Sequence, residues 1–130
     1  MGLIFGKALC AARMRQDLRQ AEVARRVGMD QSYLAAIEKG RRKTPAYPLV
    51  KGLLAAIGPT AAEQRRLAHL AIVDSLIESL NDEVPPGHPA NAFRAILSQM
   101  ACLGDIEMRC VATLVDSLAQ DRAKRMEEYL

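Results

Sequence analysis

The stretch from Gln20 to Gly40 reads QAEVARRVGMDQSYLAAIEKG, and Arg41-Arg42-Lys43-Thr44-Pro45 follows directly. A primary amide such as that of Gln31 carries a donor and an acceptor side by side. That pair can engage the N6 and N7 edge of an adenine through two hydrogen bonds. Ser32 adds a hydroxyl beside it, and Ala35 adds a small apolar surface one turn further on. Lys39, Arg41, Arg42 and Lys43 put four cations into five consecutive positions. Cations at that density suit a row of phosphates, where each contact releases condensed counterions. The chemistry on offer is recognition of a polyanion and of the base edges it carries.

Other chemistries find little support. His69 follows Arg65-Arg66-Leu67-Ala68 with no carboxylate or cysteine at metal-ligand spacing, and His88 lies among prolines. Neither is expected to ligate a metal or move a proton. Cys10, Cys102 and Cys110 form no C-x-x-C pair and are odd in number, so they are expected to be small buried apolar residues. Asp74 and Glu78, four apart on a helix, are expected to be solvated like charges rather than an acid/base pair. No Gly-rich phosphate loop, nucleophile elbow or H-E-x-x-H motif is present. The expectation is a binding protein, not an enzyme, with no cofactor and no metal.

The elements that must hold these residues are helices. Half of the 130 residues are apolar, aromatics are scarce, and β-branched clusters are nearly absent, which points to an all-α chain. Phe5, Leu9 and Ala12 share one face of a first helix, about Leu3–Gln16. A second runs from Gln20 to Val27 and stops at Gly28, where a left-handed cap comes easily. Asp30 is a suitable N-cap for a third, Gln31 to about Lys39, which Gly40 ends. Val23, Val27, Leu34 and Ile37 face inward, and the small Ala24 lets the two helices approach closely. A tight turn between two such short helices crosses them steeply, so that the second can enter a major groove.

Pro48 suits the first turn of a fourth helix that ends at Gly58-Pro59. Thr60-Ala61-Ala62-Glu63 is a capping box that starts a fifth helix, to about Asn81. A proline-rich loop to Pro89 follows. A sixth helix carries Phe93, Ile96, Leu97 and Met100 at spacings of three and four. Gly104-Asp105 restarts the chain into a last helix, with Ile106, Cys110, Leu114 and Leu118 on one face and a charged tail from Gln120 expected to fray.

The net charge of +3 conceals a division. Residues 1–66 hold 13 Lys/Arg against 5 Asp/Glu, or +8, and residues 67–130 hold 5 against 10, or −5. Such asymmetry suggests a basic face for a polyanion and a different task for the rest. No stretch approaches the ~18 apolar residues of a membrane span. The short apolar start lacks the basic run of a signal peptide, and Gly6 stands where a myristoylation pattern needs Ser or Thr. The cytoplasm is the expected compartment.

The first half resembles the Cro/C1-type phage repressors and their bacterial relatives, the XRE family. The resemblance rests on Leu9 and Arg13; Leu18 and Gln20-Ala21-Glu22-Val23-Ala24; Gly28; Ile37-Glu38-Lys39-Gly40; and Pro45, with a weaker continuation through Leu53-Leu54 and Ile57-Gly58. It covers about residues 4–66. It implies a five-helix lambda-repressor-like helix-turn-helix domain over residues 1–66, and a bacterial or phage-encoded, nucleoid-associated protein. Gln31, Ser32 and Ala36 then match base readers of the recognition helix, although Ala36 is shorter than the polar residue often found there. Gln20 matches a phosphate contact that can brace a base-reading side chain. The loop of Lys39, Arg41, Arg42 and Lys43 follows the DNA backbone in the family, and Tyr33 is expected on the sugar-phosphate. Arg13 and Glu38 match a structural salt bridge between the first and third helices.

Residues 67–130 lack a basic groove. Their apolar faces (Phe93, Ile96, Leu97 and Met100; Ile106, Cys110, Leu114 and Leu118) can pack into an intramolecular core or pair between two chains. One recognition helix reads one half-site, so a homodimer on an inverted repeat is expected, acting as a repressor of transcription. The alternative is an interaction protein, an antitoxin or phage-type adaptor whose acidic helical half binds a partner protein.

Overall fold

The computed structural model describes residues 4–58 and 60–128. The described residues are all-α, with no strand among them. The helices are α1 (Phe5–Arg15), α2 (Gln20–Val27), α3 (Gln31–Glu38), α4 (Tyr47–Ile57), α5 (Ala61–Glu83), α6 (Ala92–Met100) and α7 (Asp105–Glu128), with a single 3-10 turn at Pro89–Asn91 before α6.

Their ends follow local chemistry. Gly28 closes α2 at φ 80°, where its N–H and that of Met29 both donate to the carbonyl of Ala24. A side chain at that angle would be strained, and glycine is not. Pro48 sits in the first turn of α4, where its missing N–H costs nothing. Thr60 Oγ1 accepts from the Glu63 N–H at 3.1 Å and opens α5. The reciprocal half of the expected box is not made, because the Glu63 carboxylate pairs with Arg15 of α1 instead. Asp30 occupies the N-cap of α3 in an extended conformation, but its side chain makes no capping bond.

Helices α1 to α5 share one core of aliphatic residues with a single Phe: Phe5, Leu9, Ala12, Val23, Leu34, Ile37, Leu53 and Leu67 are all essentially inaccessible. Val27 lies at its edge, half-buried. Gly6 of α1 is buried against the end of α3, and a methyl group there would overlap the carbonyl oxygen of Ile37. That backbone contact sets how closely α1 can approach α3.

Helix α5 runs unbroken through residue 66 and places Leu67, Leu70 and Ala71 in this core, with Val73, Asp74 and Ile77 also buried. It therefore belongs to the N-terminal body over most of its length. Beyond it the packing changes. Helix α6 packs on α5, but neither α6 nor α7 has a buried residue. The charged tail expected to fray is helical as far as Glu128.

Two expectations about single residues are corrected. The cysteines are not buried: Cys10 is half-buried, and Cys102 and Cys110 are exposed. Cys102 falls in the turn after α6, and Cys110 is on α7, which packs against too little to cover it. Asp74 and Glu78 are not a solvated pair. Asp74 is only 1% exposed and its Oδ2 accepts from the Phe5 N–H at 2.7 Å, capping α1 from another helix where Ile4 has no side-chain oxygen to do so.

Candidate nucleic-acid interface

Helix α3 presents two faces. Leu34, Ile37 and Glu38 are buried, whereas Gln31 and Ser32 at its first turn are exposed, and Tyr33, Ala35 and Ala36 are half-exposed. The helix is held from behind by a polar cluster. Arg13 of α1 donates to Glu38 through Nε to Oε1 at 2.7 Å and through Nη2 to Oε2 at 3.0 Å. Its Nη1 also reaches the Leu18 carbonyl at 2.8 Å, fixing the turn between α1 and α2. Gln20, at the start of α2, donates from Nε2 to Glu38 Oε2 at 2.7 Å.

One carboxylate thus ties three helices together. A two-pronged guanidinium–carboxylate pair is geometrically demanding as well as strong, and Glu38 raises the pKa of Arg13 by accepting its hydrogen bonds. Cys10 lies 3.8 Å from Arg13 Nη2, and burial together with the nearby Glu38 charge pushes its thiol pKa up. A thiol so placed stays protonated rather than nucleophilic.

The loop after α3 is fastened at both ends. Gly40 takes φ 73° and turns the chain. The Arg42 guanidinium sits 6.0 Å from the centre of the Tyr33 ring, within cation–π range. Tyr33 therefore serves as a platform for a loop cation. Lys43 pairs with Asp82 of α5, which pushes the Lys43 pKa up. The Thr44 N–H and hydroxyl both donate to Glu78 Oε1, at 2.9 and 3.1 Å. Pro45 is buried. Lys39, Arg41 and Arg42 remain exposed, and Lys39 and Arg41 make no ion pair among the described residues.

The structure thus brings Gln31, Ser32, Tyr33, Ala35, Ala36, Lys39, Arg41 and Arg42 onto α3 and the loop that leaves it. It turns Gln20 toward Glu38 and gives Lys43 a partner within the chain. Asp74, Glu78 and Asp82, the carboxylates that secure α1 and the loop, escaped the sequence reading. Their signal was present but weak: they recur every fourth residue along one face of α5, a like-charge spacing that is mildly unfavourable unless partners elsewhere offset it.

This arrangement is a short bracing helix, a glycine turn and a second helix exposed at its N-terminal turn. Residues 4–67 match a family model described as a helix-turn-helix domain. These residues belong to that family, which lies within the XRE-like superfamily. The helix-turn-helix domain implies DNA as a partner. No curated protein and no solved structure matches the chain. Among the described residues, no group of three or more His, Cys, Asp or Glu could hold a metal, and no helix is long and apolar enough to cross a membrane.

Proposed function

We propose that the protein is a cytoplasmic transcriptional regulator that reads a short inverted repeat in double-stranded DNA as a homodimer, and that it represses by occluding the promoter. The observation that carries this reading is the exposure of Gln31 and Ser32 at the first turn of a helix whose opposite face is locked into the core. In this reading Gln31 bonds an adenine through N6 and N7, Ser32 meets the next base, and Ala35 and Ala36 offer apolar contact to thymine methyl groups. Gln20, Tyr33, Lys39, Arg41, Arg42 and Lys43 meet the sugar-phosphate and set the register. Lys43 exchanges Asp82 for a phosphate on binding. No catalytic step, cofactor or metal enters.

The dimer reading draws on the exposed apolar residues of the second half. Phe93 and Ile96 of α6 and Ile106, Leu114 and Leu118 of α7 are each at least half exposed, while Leu97 and Met100 are half-buried. The same surfaces support the second reading, in which the acidic half binds a different protein as an antitoxin or adaptor does.

Selection of bound duplexes from a random library at ~150 mM salt tests both, since specific contacts must then outcompete the salt-sensitive phosphate term. An enriched inverted repeat supports the dimeric reader. A single enriched half-site removes the homodimer. No enrichment from folded protein removes sequence reading altogether and leaves the protein-binding alternative.

A further inference from the structure

We propose that Asp82 is an internal stand-in for a DNA phosphate: it holds Lys43 until the loop meets DNA, and so lowers affinity for every sequence alike. The inference rests on the DNA-binding reading above and adds a device that sets the strength of that binding.

Two consecutive loop residues meet two acids one helical turn apart on α5. Thr44 gives both its N–H and its hydroxyl to Glu78 Oε1, at 2.9 and 3.1 Å. Asp82, one turn further on, takes the Lys43 ammonium. The Glu78 contact is partly buried and includes the backbone, so it fixes where the chain runs. The Asp82 contact joins two exposed side chains, 68% for Lys43 and 52% for Asp82. The clamp on Thr44 therefore keeps Lys43 beside α5, while the lysine itself, a charge on a flexible four-carbon stem, can swing away. The other loop cations are not held in this way. Among the described residues Lys39 and Arg41 make no ion pair, and Arg42 lies over the Tyr33 ring.

The charges dictate what this arrangement does to binding. A phosphate contact through Lys43 gains from released counterions. It also requires the lysine to give up Asp82, which is then left as an unpaired negative charge beside a polyanion. That loss is the same on any duplex, because phosphates carry no sequence information. Exposed pairs of this kind are weak, so Asp82 trims affinity and does not block binding. Glu78 withholds nothing of the sort, since the groups it accepts from on Thr44 are neutral.

The test is Asp82→Asn in the full chain, titrated by fluorescence anisotropy against random-sequence and selected duplexes at one salt concentration. The variant is expected to bind both about 2- to 5-fold more tightly, the worth of an exposed ion pair. Neutralising any acid of a DNA-binding protein lifts affinity a little, so Glu83→Gln is the control. It makes the same charge change one residue along, on a side chain with no hydrogen-bond or ion-pair partner among the described residues. Its effect is expected to stay below about 1.5-fold, since salt screens a charge with no direct contact. In a Lys43→Met background Asp82→Asn is expected to do no more than Glu83→Gln. Equal gains from Asp82→Asn and Glu83→Gln overturn the proposal. So does a gain that survives the loss of Lys43, which would make Asp82 a direct repeller of DNA. Weaker binding by Asp82→Asn overturns it too, because the pair would then prepare the loop for DNA. All three leave the DNA-binding reading standing. A parent that binds no duplex overturns that reading and the proposal together.

Discussion

The two halves of the chain use similar proportions of apolar residues in opposite ways. Helices α1 to α5 bury theirs and satisfy their polar groups with named partners: Glu38 takes Arg13 and Gln20, Asp74 takes the Phe5 N–H, and Glu78 takes Thr44. Helices α6 and α7 bury no residue and leave Phe93, Ile96, Ile106, Leu114, Val115, Leu118 and Met126 at least half exposed. The first half closes around one core that holds α3 from behind. The second is a surface whose stability depends on what covers it. Exposed apolar residues scattered singly mean little, so the protein-binding readings turn on whether these residues are covered together by a partner.

The comparison is broken most directly by truncating one leucine in each half. Leu34 is fully buried, so Leu34→Ala is expected to cost about 2–5 kcal/mol of unfolding free energy. Leu114→Ala, at a protein concentration where the chain is monomeric, is expected to stay within about 0.5 kcal/mol. Urea denaturation of both variants decides the matter. A large loss for Leu114→Ala would mean that α7 packs into the body after all.

Next comes the polar cluster. Glu38→Ala leaves the Arg13 guanidinium, whose side chain is 12% exposed, without its two-pronged partner. Removing one side of such a pair is expected to cost about 3–5 kcal/mol at full burial and towards the lower figure here. Because Gln20 loses its acceptor as well, the double variant Arg13→Met/Glu38→Leu is expected to recover part of the loss. Equal losses in the single and double variants would show that the cluster is not a coupled unit.

The interface residues sharpen the same contrast at a smaller scale. Gln31→Ala is expected to lower affinity for the selected site by about 1–3 kcal/mol and to change random-DNA binding much less. Arg42→Ala is expected to weaken both alike and to flatten the salt slope by about one. Fluorescence anisotropy titrations across a salt series measure all of these. A Gln31 effect equal on both DNAs would remove it from base reading, and a changed base preference in Arg42→Ala would remove it from the backbone.

What was legible in the sequence follows the same division. Periodicity and punctuation placed all seven helices to within a few residues, because Gly28, Gly40, Pro48, Thr60 and Gly104 act locally on the backbone. Leu9, Leu34 and Ile37 were legible as core because a helix face repeats regularly. The tertiary partners were not. Asp74 looked like a surface acid because its neighbour four residues on is Glu78; only the fold brings the start of α1 within 2.7 Å of it. Gly6 figured in the sequence only as a break in a myristoylation pattern; the chain crossing places it on the Ile37 carbonyl, where a Cβ would overlap. The cysteines read as buried because that is the habit of the residue type, yet the segments carrying Cys102 and Cys110 have no second layer to cover them.

The smallest expected effect separates the two kinds of carboxylate on α5. Burial raises the pKa of Asp74 above the ordinary value near 4, against the lowering by the Phe5 and Ile4 backbone N–H groups. A carboxyl whose folded pKa is raised favours the fold most when protonated. Its contribution is complete below its unfolded pKa of ~3.9 and is lost as pH climbs through the raised folded value. Asp74→Asn keeps an oxygen that can accept from the Phe5 N–H but cannot ionise. Thermal melts from pH 4 to pH 7 are therefore expected to show the variant gaining on the parent as pH rises, with the difference levelling off once Asp74 is fully ionised. The direction is diagnostic. A gap that widened the other way would mean that the ionised carboxylate is the better cap for α1, and that its bonds to the helix N-terminus outweigh its burial.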